Sequence, residues 1–250
     1  MRKSFDRVAT LSKRNIKEIV RDPLSLLFML GLPLFLEVLF YLIFHTMTSQ
    51  FEMKYLAPGI AVFAQSFISL FSGLLIALDR STSFLTRLYV TETRPYEFIF
   101  GYLLALLPIS AVQSVLFFIV GGLIEPSFWS VGIILGVLMC VVTSVFYIGV
   151  GILLGSLCSE KSIGGVSSVV IAGQSVLSGM WFPVEGLSGG MMTVMNVLPF
   201  RNATMLVQNM TNGYSDAFSD VLLPLIIVVA YTAVAFVFAV AAFRRNMKRV

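Results

Sequence analysis

Long apolar runs alternate with short polar segments along the whole chain. Six runs are long enough to cross a bilayer, because a hydrocarbon core of about 30 Å needs about 20 helical residues. The runs are continuously apolar, which favours helices over the alternating strands of a membrane barrel. The predicted spans are 24–44, 56–78, 98–120, 131–157, 163–184 and 221–242. We therefore predict an all-α polytopic membrane protein whose six transmembrane helices form one domain, residues 1–250.

The segment before the first run, residues 1–23, predicts a helix that lies on the membrane surface. At about 100° per residue, apolar side chains such as Phe5 and Ile16 share one face, and basic side chains occupy the opposite face. Asp22 and Pro23 then end this helix. A basic amphipathic helix of this kind attracts anionic membrane lipid.

Lysine and arginine are concentrated in alternate gaps between the runs. Seven precede the first run, three lie in 79–97, one lies between the fourth and fifth runs, and four follow the sixth. The other gaps hold only Lys54 and Arg201. Because basic loops stay on the cytoplasmic side, both termini are predicted to be cytoplasmic.

Composition excludes several classes of function. Hydrophobic residues make up 58% of the chain and charged residues 12%, which is too apolar for a soluble domain. Topology explains the basic surplus, so we predict no nucleic-acid partner. The sequence has no phosphate-binding loop, no HExxH and no metal-spaced Cys/His cluster. We therefore expect no metal site, no cofactor bound by this chain, no catalytic residues and no enzyme activity; Ser175 with His45 is a poor match to a serine hydrolase.

Polar residues inside the runs are candidates for a translocation path. Glu37 is the one acidic residue well inside a run, where a charge costs about 2.5 to 3.5 kcal/mol. It is expected to face the bundle, a partner subunit or water, or to stay protonated as a hydrogen-bond donor between helices. Gln65, Ser69 and Gln174 are further candidates. For a serine, bonding to its own helix is the alternative.

Two segments between the runs differ from ordinary loops. The centre of 79–97 is apolar enough to pack and polar enough to meet water, which suits a groove on a soluble partner. Packing on its own bundle is the alternative. The segment 185–220 is too apolar for a solvated loop and is interrupted by glycine and proline. We predict that it forms short helices that dip back into the membrane.

Three motifs in order resemble the membrane subunits of type-2 ATP-binding-cassette (ABC) transporters, the export permeases related to antibiotic and multidrug efflux systems. They are Arg21-Asp22-Pro23-Leu24, then Thr86-Arg87-Leu88-Tyr89-Val90-Thr91 with Arg94-Pro95-Tyr96-Glu97-Phe98, then Ser178-Gly179-Met180-Trp181-Phe182-Pro183-Val184-Glu185-Gly186-Leu187. The resemblance implies a six-helix half-transporter that pairs with a second copy or a sister permease. It also implies a separate nucleotide-binding ATPase subunit, which holds ATP and Mg.

The resemblance also implies roles for particular residues. The segment 79–97 would sit in a cleft of the ATPase, and the fifth span with the re-entrant helices would form the outer gate. The implied coupling residues are Thr86, Arg87, Leu88, Tyr89, Arg94 and Glu97, and the implied gate residues are Trp181, Phe182 and Pro183.

An apolar interior rich in methionine and phenylalanine, with few fixed charges, favours an amphipathic or lipophilic cargo: a drug, an antibiotic or a lipid-like molecule. Lipid or polysaccharide export is the alternative within the family. An ion-gradient-driven secondary transporter or channel is the alternative outside it. The family and the compact size indicate the cytoplasmic membrane of a prokaryote.

Overall fold

The structure is a computed structural model that describes residues 2–82, 94–182, 184 and 187–247. Every regular element in these ranges is helical, so the all-α prediction is confirmed. The helices are α1 (Arg2–Val20), α2 (Pro23–Phe44), α3 (Met53–Ser81), α4 (Pro95–Ile124), α5 (Gly132–Leu157), α6 (Glu160–Leu177), α7 (Gly189–Val197), α8 (Pro199–Asn212) and α9, which has a π-helical start (Phe218–Leu222) and an α-helical remainder (Leu223–Met247).

Within the described ranges, five helices are long and apolar enough to cross a membrane: α2, α3, α4, α5 and α9. The predicted fifth span, 163–184, corresponds to α6, which covers 18 residues, begins at Glu160 and ends at Leu177. It is therefore shorter and more polar than expected. Its end lies before the predicted one because Gly179 takes a φ of 72° and turns the chain, a conformation that glycine adopts without strain.

Helix α3 forms the centre of the bundle, since 83% of its most apolar stretch is buried, against 17% for α2 and for α9. Helices α4, α5, α6 and α8 pack around it. Its contact with α5 depends on close approach of the two backbones: a Cβ atom added to Gly151 would lie 2.2 Å from the Ser69 carbonyl oxygen. In lipid no hydrophobic driving force holds two helices together. Small residues let the backbones approach closely, and the resulting van der Waals packing stabilises the contact instead.

Helix α1 packs against α4 with a face that is neither the predicted apolar face nor the predicted basic face. Ser12, Asn15 and Ile19 are buried against the bundle, whereas Phe5 is 72% and Val20 56% exposed. The face that meets protein therefore lies between the apolar and basic faces. Exposed apolar side chains and basic side chains then suit the boundary between lipid and water.

Prolines inside the helices remove backbone donors, and at three of these prolines a carboxamide of another helix replaces the donor. A proline cannot donate to the carbonyl four residues earlier, and lipid offers no water as a substitute. In three cases an amide nitrogen from another helix donates to the freed carbonyl: Gln113 to Met29 O at 2.8 Å (before Pro33), Asn212 to Lys54 O at 2.6 Å (before Pro58) and Asn209 to Asp220 O at 2.9 Å (before Pro224).

We expect Gly151→Ala to lower the melting temperature of the purified protein, because the new methyl group overlaps the α3 backbone and overpacking costs about 1 to 3 kcal/mol. Gly190→Ala in α7 is the matched control, since no atom lies within 4 Å of a Cβ added there. The control should be neutral or slightly stabilising, as alanine favours helix. Equal melting temperatures for the two variants would contradict the close α3–α5 contact.

Candidate functional site

Three helices are joined by one carboxylate at the end of the bundle that carries α1, here called the α1 end. Asp79, in the last turns of α3, is 1% exposed. Arg14 of α1 donates to both of its oxygens, at 2.6 and 2.5 Å, and the Tyr102 hydroxyl of α4 donates at 2.6 Å. A two-pronged guanidinium contact fixes orientation as well as charge. Asp79 therefore ties α1, α3 and α4 together.

Electrostatics at this junction keeps the arginine charged. Burial lowers the pKa of Arg14, but the hydrogen bond and negative charge of Asp79 outweigh it and raise the pKa overall. Glu18 forms a second ion pair with Arg14 at 2.6 Å. The sequence prediction missed Asp79, although an acid in the last turn of an apolar run was a usable signal.

Glu97, one of the predicted coupling residues, ties the start of α4 to α1. Its carboxylate accepts from the Arg94 backbone nitrogen at 2.9 Å and from the Ser4 hydroxyl, and Arg7 lies 3.7 Å away. The Arg94 side chain reaches the Tyr96 hydroxyl at 3.5 Å. Both residues thus lie at the α1 end. The other predicted coupling residues, Thr86, Arg87, Leu88 and Tyr89, are outside the described residues.

Arg80 closes the neighbouring helix end. Its guanidinium donates to the carbonyls of Gly155, Ser156 and Cys158 at 2.7 to 3.1 Å, where the last turn of α5 has acceptors without helical donors. A cation there also suits the helix dipole. The segment between Arg80 and Glu97 is therefore bracketed by contacts to α1, α4 and α5.

The opposite end, here called the hairpin end, is closed by the turn after α6. The Trp181 ring lies 4.5 Å from Phe40 and 5.8 Å from Phe63, centre to centre. Gln50 donates to the carbonyls of Gly179 and Phe182 at 2.8 and 2.7 Å. Two predicted gate residues, Trp181 and Phe182, thus lie in a turn that is held against α2 and α3. Pro183 is outside the described residues.

Helices α7 and α8 form a helical hairpin that reaches the middle of the bundle. Phe200, at the start of α8, faces Phe146 of α5 with ring centres 6.5 Å apart. Phe146 lies 14 residues after the start of α5, or about 21 Å along its axis. Asn212, at the end of α8, reaches the first turn of α3. Helix α8 therefore rises from mid-depth to the hairpin end.

Two predicted path residues hold helices together. Gln65 donates to the Cys140 carbonyl at 2.8 Å and accepts from the Thr143 hydroxyl at 3.0 Å. Gln174 accepts from the Tyr147 hydroxyl at 2.5 Å and donates to the Thr204 hydroxyl at 3.0 Å. All of these side chains are buried. Gln65 thus joins α3 to α5, and Gln174 joins α6 to α5 and α8.

The other two path candidates are buried without a hydrogen-bond partner for their side chains among the described residues. Ser69 belongs to the close α3–α5 contact through its backbone carbonyl. Glu37 is fully buried, one helical turn from Phe40, and neither carboxyl oxygen has a partner. An unpaired charge at such a depth is costly. Glu37 therefore requires a bound proton or a cationic partner.

The structure does not bring the possible hydrolase pair together. His45 Nδ1 lies 2.7 Å from the Tyr41 carbonyl, and the Ser175 hydroxyl accepts from Trp181 Nε1 at 3.0 Å. Within the described residues no hydrogen bond joins His45 to Ser175. A serine nucleophile needs a base in direct contact. The arrangement does not fit that chemistry.

Comparison with protein-family models identifies the relationship. Residues 6–212, from α1 to the end of α8, match the model of the ABC-2 type transporter. The chain belongs to the ABC-2 type transporter family. As an ABC-2 protein it is a permease component of an ABC transporter, a membrane protein that associates with an ATP-binding subunit. A comparison with curated proteins finds no match.

The buried Arg14–Asp79 ion pair should contribute more to the free energy of unfolding than an exposed ion pair does. We expect Asp79→Asn to destabilise the permease by about 1 to 3 kcal/mol, because hydrogen bonds to charged groups are lost in a buried place. Glu52→Gln, which breaks the exposed Glu52–Lys54 pair of 2.7 Å, should cost less than about 1 kcal/mol. Chemical denaturation in mixed micelles measures both, and equal costs would contradict the junction.

The amide of Asn212 should be coupled to Pro58. Asn212→Leu removes the donor to Lys54 O, whereas Pro58→Ala supplies a new backbone donor to the same atom. In the Pro58→Ala background, Asn212→Leu should therefore cost about 1 kcal/mol less than in the natural chain.

Gln208→Leu is the control for this double-mutant cycle. Gln208 donates to Tyr55 O at 2.9 Å, an acceptor whose helical donor is the intact N–H of Gly59. Its cost should be the same in both backgrounds. A coupling of zero for Asn212 and Pro58 would show that the amide does not replace the missing proline donor.

Proposed function

We propose that this ABC-2 permease exports an amphipathic or lipophilic molecule, such as a drug, an antibiotic or a lipid-like compound, across the cytoplasmic membrane of a prokaryote. ATP and Mg bind to the partner ATPase, and this chain binds no cofactor, no metal and no nucleic acid. The observation that carries the proposal is the closure at the hairpin end. There the Trp181 turn and the α7–α8 hairpin cover an apolar, aromatic interior.

The orientation supports export. The α1 end carries Arg14, Arg80 and the basic side chains of α1, so it belongs in the cytoplasm under the positive-inside tendency. Both termini are then cytoplasmic, and the segment 79–97 faces the ATPase. The hairpin end faces outward, with α7 and α8 as re-entrant helices. A force applied near Arg80 and Glu97 would pass through Asp79 and Arg14 to α1, α3 and α4.

The open side of α6 supports pairing with a second permease chain. Ile163, Ser167 and Gln174 are buried on one side. On the other side, no atom lies within 4 Å of a Cβ added to Gly164 or Gly165. Exposed valines stand beside these glycines (Val169 is 70% exposed), and small residues next to apolar ones suit close packing of a second helix. We place the dimer contact and the path along this side, with the gate at Trp181.

The cargo class follows from the interior. Phe40, Phe63 and Trp181 offer aromatic surface, and the buried acid Glu37 lies one helical turn from Phe40. This composition favours a lipophilic molecule over a small inorganic ion or a polysaccharide. The gradient-driven alternative loses support, since the family is that of ABC transporters.

Transport by reconstituted complex tests the proposal. Inside-out vesicles that contain the permease and its ATPase should accumulate ethidium or a fluorescent short-chain lipid only when ATP and Mg are present. An ion gradient alone should have no effect. Accumulation driven by a proton or sodium gradient without ATP, or ATP-driven uptake into right-side-out vesicles, would contradict it.

Substitutions in the segment 79–97 test how the ATPase is coupled to transport. Arg87→Glu and Leu88→Asp should leave the permease folded and reduce both ATPase co-purification and transport. Lys161→Glu is the matched control at the same end of the bundle, because Lys161 is exposed at the start of α6. Loss of transport in the control, or normal transport in both variants, would contradict a role of the 79–97 segment.

A further inference from the structure

A crevice at the α1 end lies between α1, α2 and α3. Its walls are mainly apolar, formed by Ile19, Phe71, Leu74, Leu75 and Leu78, and its volume is about 80 Å³. Glu18, Asp22 and Ser25 lie at its rim. The crevice thus begins where α1 turns into α2, the first described helix that is long and apolar enough to cross a membrane.

A wider groove of about 680 Å³ continues from this rim along α1. Glu18 and Asp22 line both spaces, and Lys13, Lys17 and Arg21 line the groove. Basic side chains therefore stand directly beside an apolar slot. Positive charge in the groove and an apolar crevice beside it match the anionic headgroup and the hydrocarbon chain of an anionic amphiphile.

The acids in the groove already have partners, whereas three of the cations do not. Glu18 pairs with Arg14, which also binds Asp79. The Asp22 carboxylate accepts from the backbone nitrogens of Leu24 and Ser25, both at 3.2 Å. Among the described residues, the side chains of Lys13, Lys17 and Arg21 have no ion pair or hydrogen bond. Three positive charges thus remain available.

We propose that the groove and crevice together form a binding site for one anionic phospholipid of the cytoplasmic leaflet. Lys13, Lys17 and Arg21 contact its phosphate, and the first part of an acyl chain lies against Phe71 and Leu74. A free phosphate would use only the groove. The exposed apolar side chains beside it, Val20 at 56% and Leu24 at 62%, indicate that hydrocarbon surrounds the mouth, which favours the lipid.

The bound lipid would join the surface helix to the first two spans. Residues Arg21 and Asp22 form the only covalent link between α1 and α2, and the lipid would add a second connection across that link. The site does not depend on which molecule the transporter exports. The leaflet it names rests on the orientation in the proposed function, whereas failure of the site would leave the proposed function intact.

Binding of dioleoyl phosphatidylglycerol to the purified permease tests the site, with native mass spectrometry to count bound lipids and thermal stability to follow affinity. We expect one saturable lipid that dioleoyl phosphatidylcholine binds less tightly. Lys17→Gln should weaken binding about fivefold, since each basic residue contributes about 1 kcal/mol at such a surface, and the triple change of Lys13, Lys17 and Arg21 to Gln should abolish saturation. Leu74→Trp should fill the crevice and also weaken binding.

Lys161→Gln is the matched control, an exposed basic residue that lines neither space, and it should bind as the natural chain does. Inorganic phosphate should give no stabilisation. The site would be overturned by equal stabilisation with phosphate, by equal affinity for the two phospholipids, or by equal weakening in Lys17→Gln and Lys161→Gln. Unchanged binding in Leu74→Trp would remove the acyl-chain contact and with it the proposal.

Discussion

Backbone hydrogen bonding in lipid is the constraint on which this architecture depends. Inside hydrocarbon, a carbonyl that loses its helical donor has no water to replace it. The chain nevertheless places Pro33, Pro58 and Pro224 inside helices, and in each case a carboxamide from a different helix supplies the donor. At each of these prolines one helical hydrogen bond is missing, and the bond that replaces it joins the helix to a particular neighbouring helix.

Two of these replacement donors belong to the same short helix, α8. Asn209 and Asn212 of α8 donate to carbonyls of α9 and α3, so both side chains are hydrogen-bonded to neighbouring helices. Gln174 and Thr204 add a connection to α6. The hairpin is thus held by side-chain amides and hydroxyls, whereas Asp79 holds the α1 end by charge. Different chemistry at the two ends permits one end to separate while the other stays joined.

Five of the six predicted spans coincide with helices that are long and apolar enough to cross a membrane, because bilayer thickness sets the length of such runs and composition alone reveals them. It did not predict where α6 ends, since the turn depends on the backbone of Gly179. Polarity marked Gln65 and Gln174 as path residues, but their partners come from distant parts of the chain and only the fold brings them together. Asp79 was missed for the same reason: its partner, Arg14, precedes it by 65 residues.

The position of α1 has a practical consequence for the design of a minimal permease. Removing the first twenty residues would look harmless, because α1 is not among the described helices that are long and apolar enough to cross a membrane. It would, however, remove Arg14 from Asp79, and Ser4 and Arg7 from Glu97, so both buried carboxylates would lose their cationic partner from α1. Helix α1 thus supplies positive charge to two buried acids of the bundle. A shortened permease would need neutral residues at positions 79 and 97.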